Sequence, residues 1–191
     1  MMTRRGRIVF FTGPTAAGKS TLAAAWAASR SIPTAQFDHD QARFLLRSGY
    51  ISRTAAHSDP LLREQADHQW LLAAVVCESI AATYTAWGCD VAVSAFRPPG
   101  HWKGCWEQLD LMEPLIIVLL PSMEALLARD AQRTGRSHTG EVSVRRALAY
   151  DWEAWRADDR AYVIDNTHLS VEQVVALVED QVVQRFGSSA P

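Results

Sequence analysis

The stretch Gly13-Pro14-Thr15-Ala16-Ala17-Gly18-Lys19-Ser20-Thr21 constrains this chain more than any other. It reads as glycine, four residues, then Gly-Lys-Ser, the spacing of a phosphate-binding P-loop. The flanks supply the structure that such a loop needs. Arg7-Ile-Val-Phe-Phe-Thr12 is a short apolar run of high β propensity, and Leu22-Ala-Ala-Ala-Trp-Ala-Ala28 is rich in strong helix formers. The predicted order is strand, glycine turn, helix N-terminus. Gly13 and Gly18 allow turns and close approaches that a Cβ would block. The loop N–H groups then converge as an anion nest, with the positive end of the helix dipole behind them. Lys19 is placed to reach β- and γ-phosphates, and the Ser20 hydroxyl to hold Mg2+. A glycine-rich helix start without a ligand is the alternative, but it leaves Lys19 without a role. The expected ligands are ATP and Mg2+.

The rest of the chain alternates in the same sense. Pro33-Thr-Ala-Gln-Phe37 reads as a second strand that delivers Asp38-His39-Asp40 at its C-terminal end, where α/β sheets place ligands. Residues 41–48 read as a helix closed by Gly49, and 50–59 as a polar loop. Asp59 caps and Pro60 opens a long helix to about Trp87. Leu71, Leu72, Val75, Val76 and Ile80 recur along it at helical spacing and form its expected core face. Strands are expected over 91–96 and 115–120, the latter apolar throughout as a buried parallel strand should be. Helices follow over 102–112, from Ser122 into a loop over 134–140, and over 141–156. A fifth strand covers 161–165, and Ser170 caps a last helix with Val171, Val174, Val175 and Leu177 inward. The pattern predicts an α/β P-loop NTPase three-layer sandwich. Its sheet has five mostly parallel strands, with helices on both faces and a short lid over about 129–142.

At 191 residues the chain suits one domain with a proper core. A formal net charge of −2 gives no basic field for an extended nucleic-acid groove. Cys77, Cys89 and Cys105 are odd in number and lack metal-type spacing, so they read as reduced thiols of a cytoplasmic protein. No apolar run reaches the length of a membrane span, and Met1-Met-Thr-Arg-Arg lacks the apolar run of a secretory signal. A monomer and a homodimer both fit.

Asp38-His-Asp40-Gln-Ala-Arg43 narrows the reading. Asp-x-Asp at the end of the second strand resembles shikimate kinase. With Arg three residues further on, the motif also resembles adenylylsulfate kinase and the polynucleotide 5′-kinases. Arg129-Asp-Ala-Gln-Arg133-Thr-Gly-Arg136 resembles the lid of chloramphenicol phosphotransferase. Val163-Ile-Asp165-Asn166-Thr167, followed by His-Leu-Ser-Val-Glu-Gln, is similar to the closing strand and helix of that group. The resemblance covers the chain in patches and is specific for small P-loop kinases. It implies that Asp40 sits against the acceptor hydroxyl as its base, and that Asp38 holds Mg2+ through water beside Ser20.

Further candidates follow from placement. Arg133 and Arg136 are the lid residues, because a loop arginine beside glycines can swing over phosphates. Arg129 shares a helix face with Arg133, and Asn166 and Thr167 edge the adenine site. Arg43 and Arg97, each just past a strand end, flank the acceptor pocket with the segments over about 38–60 and 97–108. Plainer readings stand beside these: a helix cap for the Asp pair, solvated surface for the arginines, core packing for Trp102 and Trp106. His39, His68 and His101 lack metal spacing and read as structural. One departure stands out, since Ser94 ends the third strand where many P-loop enzymes carry an acid that supports Mg2+.

The leading reading is an ATP-dependent kinase that phosphorylates a hydroxyl of a small molecule. The chloramphenicol phosphotransferase resemblance implies an antibiotic or secondary metabolite. A nucleotide, nucleoside or nucleic-acid 5′-hydroxyl acceptor is the alternative within kinases. A regulatory NTPase would need switch loops that read the γ-phosphate, and the short arginine-bearing lid suits transfer instead.

Overall fold

Five strands align in one direction: β1 (Ile8–Thr12), β2 (Thr34–Asp38), β3 (Asp90–Ser94), β4 (Leu115–Leu119) and β5 (Ala161–Ile164). Their spatial order is β2-β3-β1-β4-β5, all parallel, so β1 lies in the middle and every C-terminal end meets the same edge. The structure is a computed structural model and describes residues 4–52, 55–56, 59–100, 105–134 and 139–187. The helices are α1 (Lys19–Ser29), α2 (His39–Arg43), α3 (Pro60–Ala86), α4 (Glu107–Leu111), α5 (Met123–Ala131), α6 (Glu141–Leu148) and α7 (Val171–Phe186), with a 3₁₀ turn over Trp152–Ala157.

The side-chain period of two splits β1 between two cores. Val9 and Phe11 face α1 and α7, where they pack with Leu22, Trp26, Val174 and Val178. Ile8 and Phe10 face α3 and α4, where they pack with Trp70, Cys77, Trp106 and Leu109. At the opposite edge from the P-loop, Asp90 is fully buried and bonds Arg4 at 2.7 Å and Arg30 at 3.2 Å. Arg30 in turn pairs with Glu179 of α7. This network anchors β3 to α1 and α7 without approaching the ligand edge.

Several expected details differ. Helix α3 turns Ala66, Trp70, Ala73, Ala74, Cys77 and Ala81 inward. The expected core residues Leu71, Leu72 and Val75 are instead exposed, and Val76 and Ile80 are half-buried. The cause is steric: apart from Trp70 this face is mostly small residues, which let the helix pack close to the sheet. Helix α2 starts two residues early because Asp38 and Gln41 form a capping box. It ends at Arg43 as the chain tightens into turns, with Leu45 and Leu46 N–H bonding three residues back. The helix expected over 141–156 stops at Leu148, and the Trp152 indole donates to the Ala147 carbonyl at 2.8 Å. In α7 the buried stripe is Val174, Val178 and Val182, while Val171 is exposed at the cleft edge.

Candidate active site

The P-loop leaves the centre of the sheet where the strand order reverses, the usual ligand position in open parallel sheets. Gly13 has φ +143°, and a Cβ there would stand 2.3 Å from the Leu119 carbonyl oxygen, so only glycine fits. Gly18 takes the left-handed conformation (φ +94°) as the N-cap of α1 and leaves the first N–H groups of that helix without a side-chain cap. Such a terminus is an anion site by geometry and dipole. The Lys19 ammonium donates to the Pro14 carbonyl at 2.8 Å, which holds it over the loop.

A second wall closes on the loop from β5 and α5. The Asn166 amide donates to the Ala17 carbonyl at 3.0 Å, and Arg129 donates to the Asn166 carbonyl at 2.7 Å and to Ala17 at 3.5 Å. Burial holds the Arg129 guanidinium somewhat below its ordinary pKa. Between the walls lies a cleft of about 280 Å³. Ala16, Gly18, Thr21, Arg129, Arg133 and Asn166 line it, together with the apolar Leu22, Leu169 and Val174. Its apolar floor and charged rim suit a base and ribose beside the phosphate nest. Thr167 does not line the cleft. Its hydroxyl accepts from the Ser122 N–H at 2.8 Å and donates to Asp165 at 2.5 Å, and this bond together with that from the Thr167 N–H pulls the Asp165 carboxyl below its usual pKa.

The Asp38 carboxylate is the hub of the other side. Ser20 and Ser94 both donate hydroxyl protons to its Oδ2, each at 2.5 Å. The Asp40 N–H donates to its Oδ1 at 2.7 Å. Asp38 is thus a helix cap and a neighbour of the P-loop serine at once. Asp40 projects from the first turn of α2 with a side chain 57% exposed, and Arg43 donates to it at 3.2 Å. The Arg43 guanidinium is buried over the faces of Trp70 and Tyr50, at 4.8 and 5.5 Å. His39, between the aspartates, is fully buried and donates through Nε2 to the Trp70 carbonyl at 3.0 Å. Burial lowers its pKa, so the ring is neutral.

Arg97 does not reach this edge with its charge. Its guanidinium makes a two-pronged contact to Asp110, at 2.5 and 3.1 Å, and lies over Phe10 and Trp155. Only its backbone, bonded to the Thr12 hydroxyl, stays at the strand ends. Trp106 is buried against Phe10 and His39 as a core residue. Arg136, His101 and Trp102 lie outside the described residues. Arg133 lies 3.9 Å from Asp130, whose buried carboxylate also accepts from Thr139 and Gly140 at the start of α6.

Sequence reasoning missed Ser94 as a partner of Asp38, Asp130 as the clamp beneath Arg133, and Leu169 in the cleft. Only Ser94 carried a signal, as the residue standing in the place of an acid. Oxygen donors from Ser20 and Asp38 fit Mg2+, which binds through few protein groups together with phosphates and water. Among the described residues no cluster of three or more His, Cys, Asp or Glu could cage a metal instead.

The fold is that of P-loop kinases. A sugar kinase from Janibacter sp. superposes with a TM-score of 0.62 at 15% identity, covering 97% of this chain and 99% of that one. Shikimate kinase from Acinetobacter baumannii in complex with shikimate gives 0.63 at 14% identity, over 97% of each chain. The tunicamycin resistance protein of Deinococcus radiodurans gives 0.60 at 18% identity, over 98% of this chain and 99% of that one. No family profile matches the chain, and no curated protein sequence matches it.

Proposed function

We propose that this chain is an ATP-dependent phosphotransferase that moves the γ-phosphoryl group of ATP to a hydroxyl of a small molecule. The observation that carries this reading is the Asp38–Ser20 hydrogen bond at 2.5 Å. It ties the strand-end aspartates to the phosphate loop and sets Asp40 two residues away, on the solvent side of that contact. Three parts of phosphoryl transfer thereby share one edge: a phosphate cradle, oxygen donors for a metal and an open carboxylate.

Each residue then has a task. The P-loop N–H groups and Lys19 bind the phosphates, and Arg129 with Asn166 closes the base cleft. Ser20 and Asp38 would hold Mg2+, which when bound neutralises phosphate charge. Asp40 takes the proton from the acceptor hydroxyl as its oxygen bonds to the γ-phosphorus and the bond to the β-phosphate oxygen breaks. Arg133, on the cleft rim, stabilises the charge on the group in transit. An antibiotic or secondary metabolite is the proposed acceptor class. Its support is the lid resemblance to chloramphenicol phosphotransferase and the structural likeness to a tunicamycin resistance protein.

ATP consumption measured against panels of hydroxylated antibiotics, sugars and nucleosides tests the proposal, with Lys19→Ala as control. Acceptor-dependent ADP release that Lys19→Ala abolishes is the expected result. Equal turnover by Lys19→Ala, or no acceptor in any panel raising ADP release, would overturn it.

A further inference from the structure

The end of β3 carries no acid, and the structure shows what replaces it. Ser94 is fully buried and aligned in register with Asp38 across the β2–β3 pair. Its hydroxyl donates to Asp38 Oδ2 at 2.5 Å, the same oxygen that accepts from Ser20. A carboxylate offers about four acceptor positions. Three are filled here, by Ser20, Ser94 and the Asp40 N–H.

We infer that Ser94 is a positioning residue that holds Asp38 so that the Ser20 proton points to Asp38 and the Ser20 oxygen faces the metal. The inference rests on the phosphotransferase reading and adds to it. A serine has one proton to donate, and its rotor can aim at only one acceptor at a time. Donating to Asp38 from below, Ser94 fixes the carboxylate plane. With its own proton committed to that carboxylate, Ser20 presents lone pairs to a cation. One acceptor position of Asp38 remains for a water of the metal shell. An acid at position 94 could do none of this. It would bring a second carboxylate to the place where the Ser94 hydroxyl now meets Asp38, and the pair would either repel as two charges or take up a proton, changing the charge that Asp38 offers a metal. A strand-end acid would therefore disturb this arrangement.

The test reads metal binding rather than turnover. A fluorescent non-hydrolysable ATP analogue is titrated onto the whole chain at rising Mg2+, for wild type, Ser94→Ala, Ser94→Thr and Ser94→Asp. Loss of one charge-assisted hydrogen bond predicts a Mg2+ midpoint about tenfold higher for Ser94→Ala, with metal-free analogue binding unchanged. Ser94→Thr keeps the hydroxyl on a strand that favours β-branching, and restores the midpoint. Ser94→Asp is worse than Ser94→Ala. Thermal melts of all four separate these shifts from loss of fold. An unchanged midpoint for Ser94→Ala, or a Ser94→Asp variant that equals wild type, would overturn this inference while leaving the kinase reading intact. Wild-type protein that binds no analogue at any Mg2+ concentration would overturn both.

Discussion

The two sides of the candidate site are built from different materials. On the nucleotide side the contacts are main-chain: the carbonyls of Pro14, Ala17 and Asn166 accept from Lys19, Arg129 and the Asn166 amide. On the proposed acceptor side they are side-chain: His39 packs on Trp70, and Arg43, bonded to Asp40, lies over Trp70 and Tyr50. A backbone-built cradle accepts any polyphosphate of the right length and demands only small residues at fixed spacing. A side-chain-built floor is shaped by each residue in turn. The contrast explains how one nucleotide half can be common to kinases whose acceptors differ.

Substitutions can break the comparison. The largest effect is expected for Asp40→Asn, which keeps shape and an acceptor oxygen but cannot take a proton. Turnover should fall by about 10²–10⁴ while ATP affinity holds. A variant within twofold of wild type would remove Asp40 as the base and leave it a first-turn acid. Next comes Arg133→Ala, at the rim of the nucleotide cleft. Loss of one preorganised donor should lower kcat by about a hundredfold with KM for ATP nearly constant. A rise in KM at constant kcat would make it a binder of ground-state ATP.

Arg97→Ala sharpens the comparison from below. Because its guanidinium is bonded to Asp110, the variant should lose about 1–3 kcal/mol of stability, read from chemical denaturation, with KM for the acceptor unchanged. A rise in acceptor KM without a stability loss would return Arg97 to the acceptor pocket. The smallest effect belongs to acid titration far from either half. The Arg160 side chain, hydrogen-bonded to Asp158, holds that carboxyl below its ordinary 3.8. A depressed carboxyl adds stability above its unfolded pKa and loses it as pH falls through the folded one. Asp158→Asn should therefore lower stability slightly at neutrality and flatten the curve below about pH 4, where nothing is left to lose. An identical acid limb in the variant would remove the pair from the account.

The same contrast decides what could be read in advance. Gly13 and Gly18 announced the cradle because a Cβ at Gly13 would collide with the Leu119 carbonyl and Gly18 takes a positive φ that side chains disfavour. The parallel sheet followed from the alternation of strand and helix, while its strand order did not. The inward face of α3 did not follow, because alanine and cysteine at 73, 74 and 77 give a weaker apolar signal than the leucines and valine turned outward beside them. Asp38 was legible by its place at a strand end, but its bond to Ser94 joins residues far apart in sequence. Arg97 has the position of a ligand residue. Its rotamer, set by Asp110 and the ring of Phe10, carries the charge elsewhere, and no local pattern records that.

The Ala17 carbonyl has a consequence for motion. One oxygen of the P-loop accepts from Asn166 after β5 and from Arg129 in α5. Three segments distant in the chain are therefore coupled through a single atom. Widening the cleft by moving either segment away from the loop requires breaking a bond to that oxygen. Displacement of the β5 end or of α5 and movement of the loop turn are therefore linked through that atom.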